Sequence, residues 1–71
     1  MAYQRIRDLR IDHDMNQQQV ADYLGMSQTG YSKYEVGTND IPTHVLIRLS
    51  HLYNVSIDYL LGETDQPNRI K

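Results

Sequence analysis

One local device occurs three times in this chain. Met15 and Val20 bracket Asn16, Met26 and Tyr31 bracket Ser27, and Val55 and Leu60 bracket Ser56. Each middle residue is a favoured helix N-cap, whose side chain can accept a hydrogen bond from an unpaired N–H of the first turn. The flanking apolar residues have the spacing of a hydrophobic staple, which fixes the angle at which the chain enters the helix. Helices are therefore predicted to start at 17, 28 and 57. Gly25, Gly37 and Gly62 stand where a left-handed residue would end these three helices, and Asn54 can end a fourth in the same way.

Between these marks the apolar residues recur at three and four, not at two, so the chain is predicted to be all-helical. The expected helices are 2 to about 12, 17–24, 28–36, about 43–53 with Pro42 fixing its start, and 57–61. In the fourth, Val45, Leu49 and Leu52 form one apolar stripe with Leu46 and Tyr53 on its shoulder, which makes it the expected centre of the core. With 71 residues there is room for one core, predicted over 1–62. Residues 63–71, with Pro67 and the lone aliphatic Ile70, are expected to fray as a polar tail.

The absence of cysteine removes disulfides and thiolate metal sites, and fits a cytoplasmic location. The longest apolar run is Val45-Leu46-Ile47, too short to span a membrane. His44 and His51 lie seven apart on one helix, about 10 Å along its axis, too far to share an ion, and His13 is expected to be exposed like them. No metal or other cofactor is expected. Asp12, His13 and Asp14 sit in a short connection without a pocket, and no nucleophile motif accompanies them, so no catalysis is assigned and the chain is not read as an enzyme.

The segment 17–36 holds two short helices joined by Gly25-Met26-Ser27, a turn too tight for an antiparallel pair, so they should cross as a helix-turn-helix. In the second, Tyr31 and Tyr34 should face inward, leaving Gln28, Thr29, Ser32 and Lys33 on an outer face that bears no acid. The chain as a whole has a net charge of −2 and a pI near 5.8, so a solvated face would be expected to carry Asp or Glu. Gln can pair with adenine N6 and N7, Lys can donate to guanine O6 and N7, and the Thr methyl can meet a thymine methyl. The face is equipped for a DNA major groove.

The run Gln17-Gln18-Gln19-Val20-Ala21, then Leu24-Gly25-Met26-Ser27, then Tyr31-Ser32-Lys33-Tyr34-Glu35-Val36-Gly37 resembles the Cro/C1-type helix-turn-helix repressor family. The resemblance continues through Ile41-Pro42, Leu46-Ile47-Arg48-Leu49 and Tyr53 to Gly62. It implies an all-α, compact five-helix, lambda-repressor-like DNA-binding domain in a bacterial or phage transcription regulator, with 28–36 as recognition helix. Base reading is then expected from Gln28, Thr29, Ser32 and Lys33. Phosphate contact or positioning is expected from Asn16, Gln17, Ser27, Thr38, Asn39 and Thr43, with Arg5 or Arg7 as further candidates. Gln17 is also similar to the family's glutamine that braces the recognition helix, and Arg10 with Glu35 looks like its structural ion pair.

Many members carry a cation in the loop after the recognition helix, whereas this loop reads Val36-Gly37-Thr38-Asn39-Asp40. Fewer ion contacts release fewer counterions, so a shallow salt dependence and a need for dimeric binding are expected. Ile57, Tyr59, Leu60 and Leu61 are more apolar than two turns need, and are expected to form the dimer surface for an inverted repeat. The rival expectation is an antitoxin-like or other module whose main target is a partner protein at that surface. Gly30, costly in a helix, is expected to allow a close approach to DNA or to the preceding helix.

Overall fold

The computed structural model describes residues 3–68. Five helices follow in order: α1 (Gln4–Asp12), α2 (Gln17–Leu24), α3 (Gln28–Val36), α4 (Thr43–Tyr53) and α5 (Ile57–Leu60). There is no strand among the described residues, and none of the helices is long and apolar enough to cross a membrane. The first helix starts later than the sequence predicts and the last ends one residue earlier. Ala2, at the expected start of the first helix, lies outside the described residues.

All three capping side chains act as the sequence requires. Asn16 accepts from Gln19 N–H, Ser27 from Gly30 N–H, and Ser56 from Tyr59 N–H. At α2 the device is completed into a capping box, since the Gln19 side chain accepts from the Asn16 N–H at 2.8 Å. Gly25, Gly37 and Gly62 have φ of 73°, 86° and 80°, and Asn54 has φ 54°. A side chain at such a φ clashes with the following carbonyl, which is why three of the four are glycine and the fourth is asparagine. α1 ends differently: Asp14 takes φ 55°, with no glycine to announce it.

The core gathers Ile6 and Leu9 of α1, Val20, Ala21 and Leu24 of α2, Tyr31 of α3, Val45, Leu49 and Tyr53 of α4, then Val55 and Leu60. Met15 and Met26, the outer members of two staples, pack against it. α2 packs chiefly on α3 and α4 on α5, while α1 touches both α3 and α5. On α4 the expected order is reversed at one turn, because Tyr53 is buried and Leu52 only half-buried. Tyr53 lies against the ring of His13, the residue that follows α1, with the centroids 5.0 Å apart.

The tail does not fray at its start. Glu63 N–H donates to Asp58 O, Ser56 N–H donates to Pro67 O, and Arg5 reaches Thr64 O at 2.7 Å. Residues 63–67 are thus tied back to α1 and α5, and residues 69–71 lie outside the described residues. Leu60 is fully buried, so it belongs to the core and not to an outward apolar surface. Ile57, Tyr59 and Leu61 remain half-buried at the rim.

Candidate nucleic-acid interface

α3 is held in place from beneath by one carboxylate. Glu35 is almost entirely buried, and Arg10 reaches it from α1 with two parallel bonds, Nε to Oε2 at 2.7 Å and Nη2 to Oε1 at 3.1 Å. The Gln17 amide donates to Oε1 at 3.1 Å from the first turn of α2, and the Tyr31 hydroxyl donates to Oε2 from within α3. Arg10 also donates to Met15 O at 3.0 Å, which ties the connection before α2 into the same cluster. α1, α2 and α3 therefore meet at a single anion.

Burial pushes the Glu35 pKa up, but hydrogen bonds from Arg10, Tyr31 and Gln17 together outweigh it and hold the carboxyl below its ordinary value. The hydrogen bonds that Arg10 donates to Glu35, more than the carboxylate's charge, raise the Arg10 pKa against the opposing effect of burial. Burial, reinforced by the bond to Glu35, pushes the Tyr31 hydroxyl far above its usual range. Burial likewise carries Tyr53 up to about 12, and its hydroxyl is enclosed without a well-formed hydrogen bond.

On the outer side of α3 an open groove of about 340 Å³ is lined by Gln17, Gln28, Thr29, Ser32, Lys33 and Val36. The four side chains expected to read bases thus share one concave face. Its lining carries a single formal charge, from Lys33, and no acid, because the one carboxylate of α3 points inward to Arg10. Gln28 and Thr29 are exposed in the first turn, just beyond the Ser27 cap.

The other candidates divide. Gln17 lines the groove, but its amide nitrogen is engaged by Glu35, so its side chain braces α3. Asn16 and Ser27 use their side-chain oxygens as caps, which leaves the Asn16 amide N–H₂ and the Ser27 hydroxyl proton as donors. Thr38, Asn39 and Thr43 are exposed beyond the end of α3 and at the start of α4, outside the groove lining. Arg5 is not available for phosphate: it donates to Tyr59 O at 3.1 Å and Thr64 O, and lies 4.1 Å from the centroid of the Tyr59 ring. Arg7 is exposed. Gly30 is tight against its own turn, since a Cβ there would lie 3.1 Å from Met26 Cε and 3.2 Å from Ser27 Oγ.

Arg48 is the contributor that sequence reasoning missed. From α4 it donates to Leu24 O at 3.2 Å and to Tyr23 O, capping the last carbonyls of α2 immediately before the turn. Its guanidinium lies 5.1 Å from the centroid of the Tyr23 ring, and Tyr23 Oη donates back to Arg48 O at 3.3 Å. The signal was a lone arginine between the apolar Ile47 and Leu49, but its acceptors are distant backbone oxygens that no spacing rule reveals. Among the described residues no cluster of histidine and acidic side chains could hold a metal.

Two short helices joined by a glycine turn, the second presenting a polar, acid-free groove, define a helix-turn-helix unit. A helix-turn-helix family model matches residues 6–60, and the chain belongs to that family of Cro/C1-type transcriptional regulators. It is 40% identical over 68 residues to the uncharacterized HTH-type transcriptional regulator YobD of Bacillus subtilis, covering 96% of this chain and 61% of that protein. It is 34% identical over 65 residues to the cryptic phage CTXphi transcriptional repressor RstR of Vibrio cholerae, covering 92% of this chain and 59% of that protein. It is also 31% identical over 71 residues to the antitoxin PezA of Streptococcus pneumoniae, covering 100% of this chain and 45% of that protein. The chain spans about 60% or less of the length of these relatives.

Proposed function

We propose that this chain is the sequence-specific DNA-binding part of a cytoplasmic transcriptional repressor that binds an inverted repeat as a homodimer. In this reading α3 enters the major groove and Gln28, Thr29, Ser32 and Lys33 contact base edges. The observation that carries it is the groove itself: all four side chains line one face with one cation and no acid, on a helix whose position is fixed from below by Glu35. Asn16, Ser27, Thr38, Asn39 and Thr43 supply neutral donors to phosphates, and the exposed Arg7 is the candidate cation beyond Lys33. Ile57, Tyr59 and Leu61 supply the rim of the dimer contact. Two recognition helices related by a two-fold axis would read half-sites about one helical turn, ~34 Å, apart.

Selection of binding sites from a random duplex library at about 100 mM salt tests this reading. An enriched inverted repeat supports it, and no enrichment from folded protein overturns it. The second reading, a module whose main target is another protein at the α5 rim, is favoured by the similarity to an antitoxin. Light scattering behind size exclusion separates the two, since a stable monomer that binds no palindrome counts against the dimeric repressor.

A further inference from the structure

The groove holds one residue that hydrogen bonding to bases does not use. Val36, the last residue of α3, lines it with Gln17, Gln28, Thr29, Ser32 and Lys33, and is 66% exposed. It is the most exposed of the large apolar side chains among the described residues, ahead of Ile11 at 47%, Ile47 at 42% and Tyr23 at 37%. It stands seven residues after Thr29 and four after Ser32, on the same helix face and about 10 Å along the axis from Thr29.

An isolated exposed aliphatic needs no partner. One that sits in a groove of amides, hydroxyls and an ammonium is different, because any duplex docked there must cover it. The major-groove edge of DNA offers one apolar group, the C5 methyl of thymine. We infer that Val36 is a specificity-determining residue, packing its methyl groups against a thymine methyl at the flank of the half-site. Gln28, Thr29, Ser32 and Lys33 supply the polar part of the readout and Val36 the apolar part. This inference rests on the DNA-binding reading above.

The test uses the enriched duplex and a series in which each thymine in turn is replaced by uracil, which lacks only the methyl. Wild-type protein and Val36→Ala are compared by equilibrium binding at one salt concentration. At one thymine per half-site, uracil should weaken the wild type about fourfold, the worth of one buried methyl, and leave Val36→Ala unchanged. Val36→Ala should itself bind the thymine duplex several-fold more weakly, and Val36→Thr, which keeps one methyl, should fall between. Alanine favours a helix more than valine, so the variant should keep its fold, and a thermal melt by circular dichroism checks this. Equal uracil penalties in both proteins at every position, or wild-type affinity in Val36→Ala, would overturn the inference while leaving the DNA-binding reading intact. Absence of any enriched duplex would overturn both.

Discussion

Replacing Arg10 with methionine removes the only cation among the described residues that faces Glu35, while keeping most of the volume. In the folded protein Glu35 would retain the Tyr31 hydroxyl and the Gln17 amide, so its charge would not be stripped of every donor. Breaking a buried pair from one side costs on the order of 3–5 kcal/mol, and the two surviving donors place this case near the lower end. For a domain this small each kcal/mol moves the melting temperature by about 4–8 °C, so a fall of roughly 12–24 °C is expected. Arg7→Met, on the exposed side of the same helix, should shift it little. The pH dependence carries a sign. In the wild type the depressed Glu35 pKa contributes stability above the unfolded-state value, and that stability is lost as pH falls through the folded value. In the variant, burial dominates and raises the Glu35 pKa, so the deficit relative to wild type should be largest at neutral pH and narrow toward pH 4. Adding Glu35→Gln should recover part of the loss. Urea and thermal melts followed by circular dichroism at pH 7 and pH 4 measure all three quantities. Equal midpoints for the Arg10 and Arg7 variants at pH 7 would show that the ion pair does not anchor the recognition helix.

Tyr31→Phe and Tyr53→Phe should differ in the same melts. The first removes a hydrogen bond to a buried carboxylate and should cost about 1.5–3 kcal/mol, while the second deletes an enclosed hydroxyl without a well-formed bond and should be neutral or stabilising. If both lose stability equally, the Tyr53 hydroxyl is bonded in solution. Gln28→Ala should weaken binding to the selected site by about 1–3 kcal/mol and relax preference at one base position, read by repeating the selection with the variant. An unchanged preference removes Gln28 from the reading set. With Lys33 the single charge in the groove, the slope of log affinity against log salt should be shallow, about −2 to −4 for a dimer, and a slope near −8 would mean that cations outside the groove grip the phosphates.

The sequence by itself determined where α2, α3 and α5 begin and where α2, α3 and α4 end. Caps, staples and left-handed glycines act within four residues of one another, so Asn16, Ser27, Ser56, Gly25, Gly37, Asn54 and Gly62 could be assigned without knowing what lay across the molecule. The outward face of α3 was legible for the same reason, since helix periodicity alone separates Gln28, Thr29, Ser32 and Lys33 from Tyr31. What only the tertiary structure decided were choices that depend on partners far along the chain. Tyr53 is buried and Leu52 only half-buried, and Tyr53 packs against His13 from the distant end of α1. Leu60 is enclosed while Ile57 and Leu61 stay at the rim. Arg5 was a phosphate candidate on sequence grounds and Arg48 was given no role, yet each is bound to backbone carbonyls 24 to 59 residues away, and Arg5 holds the start of the tail against α5. A carbonyl left free at a helix end carries no mark in the residue type, and a long flexible cation finds it only after the helices have packed.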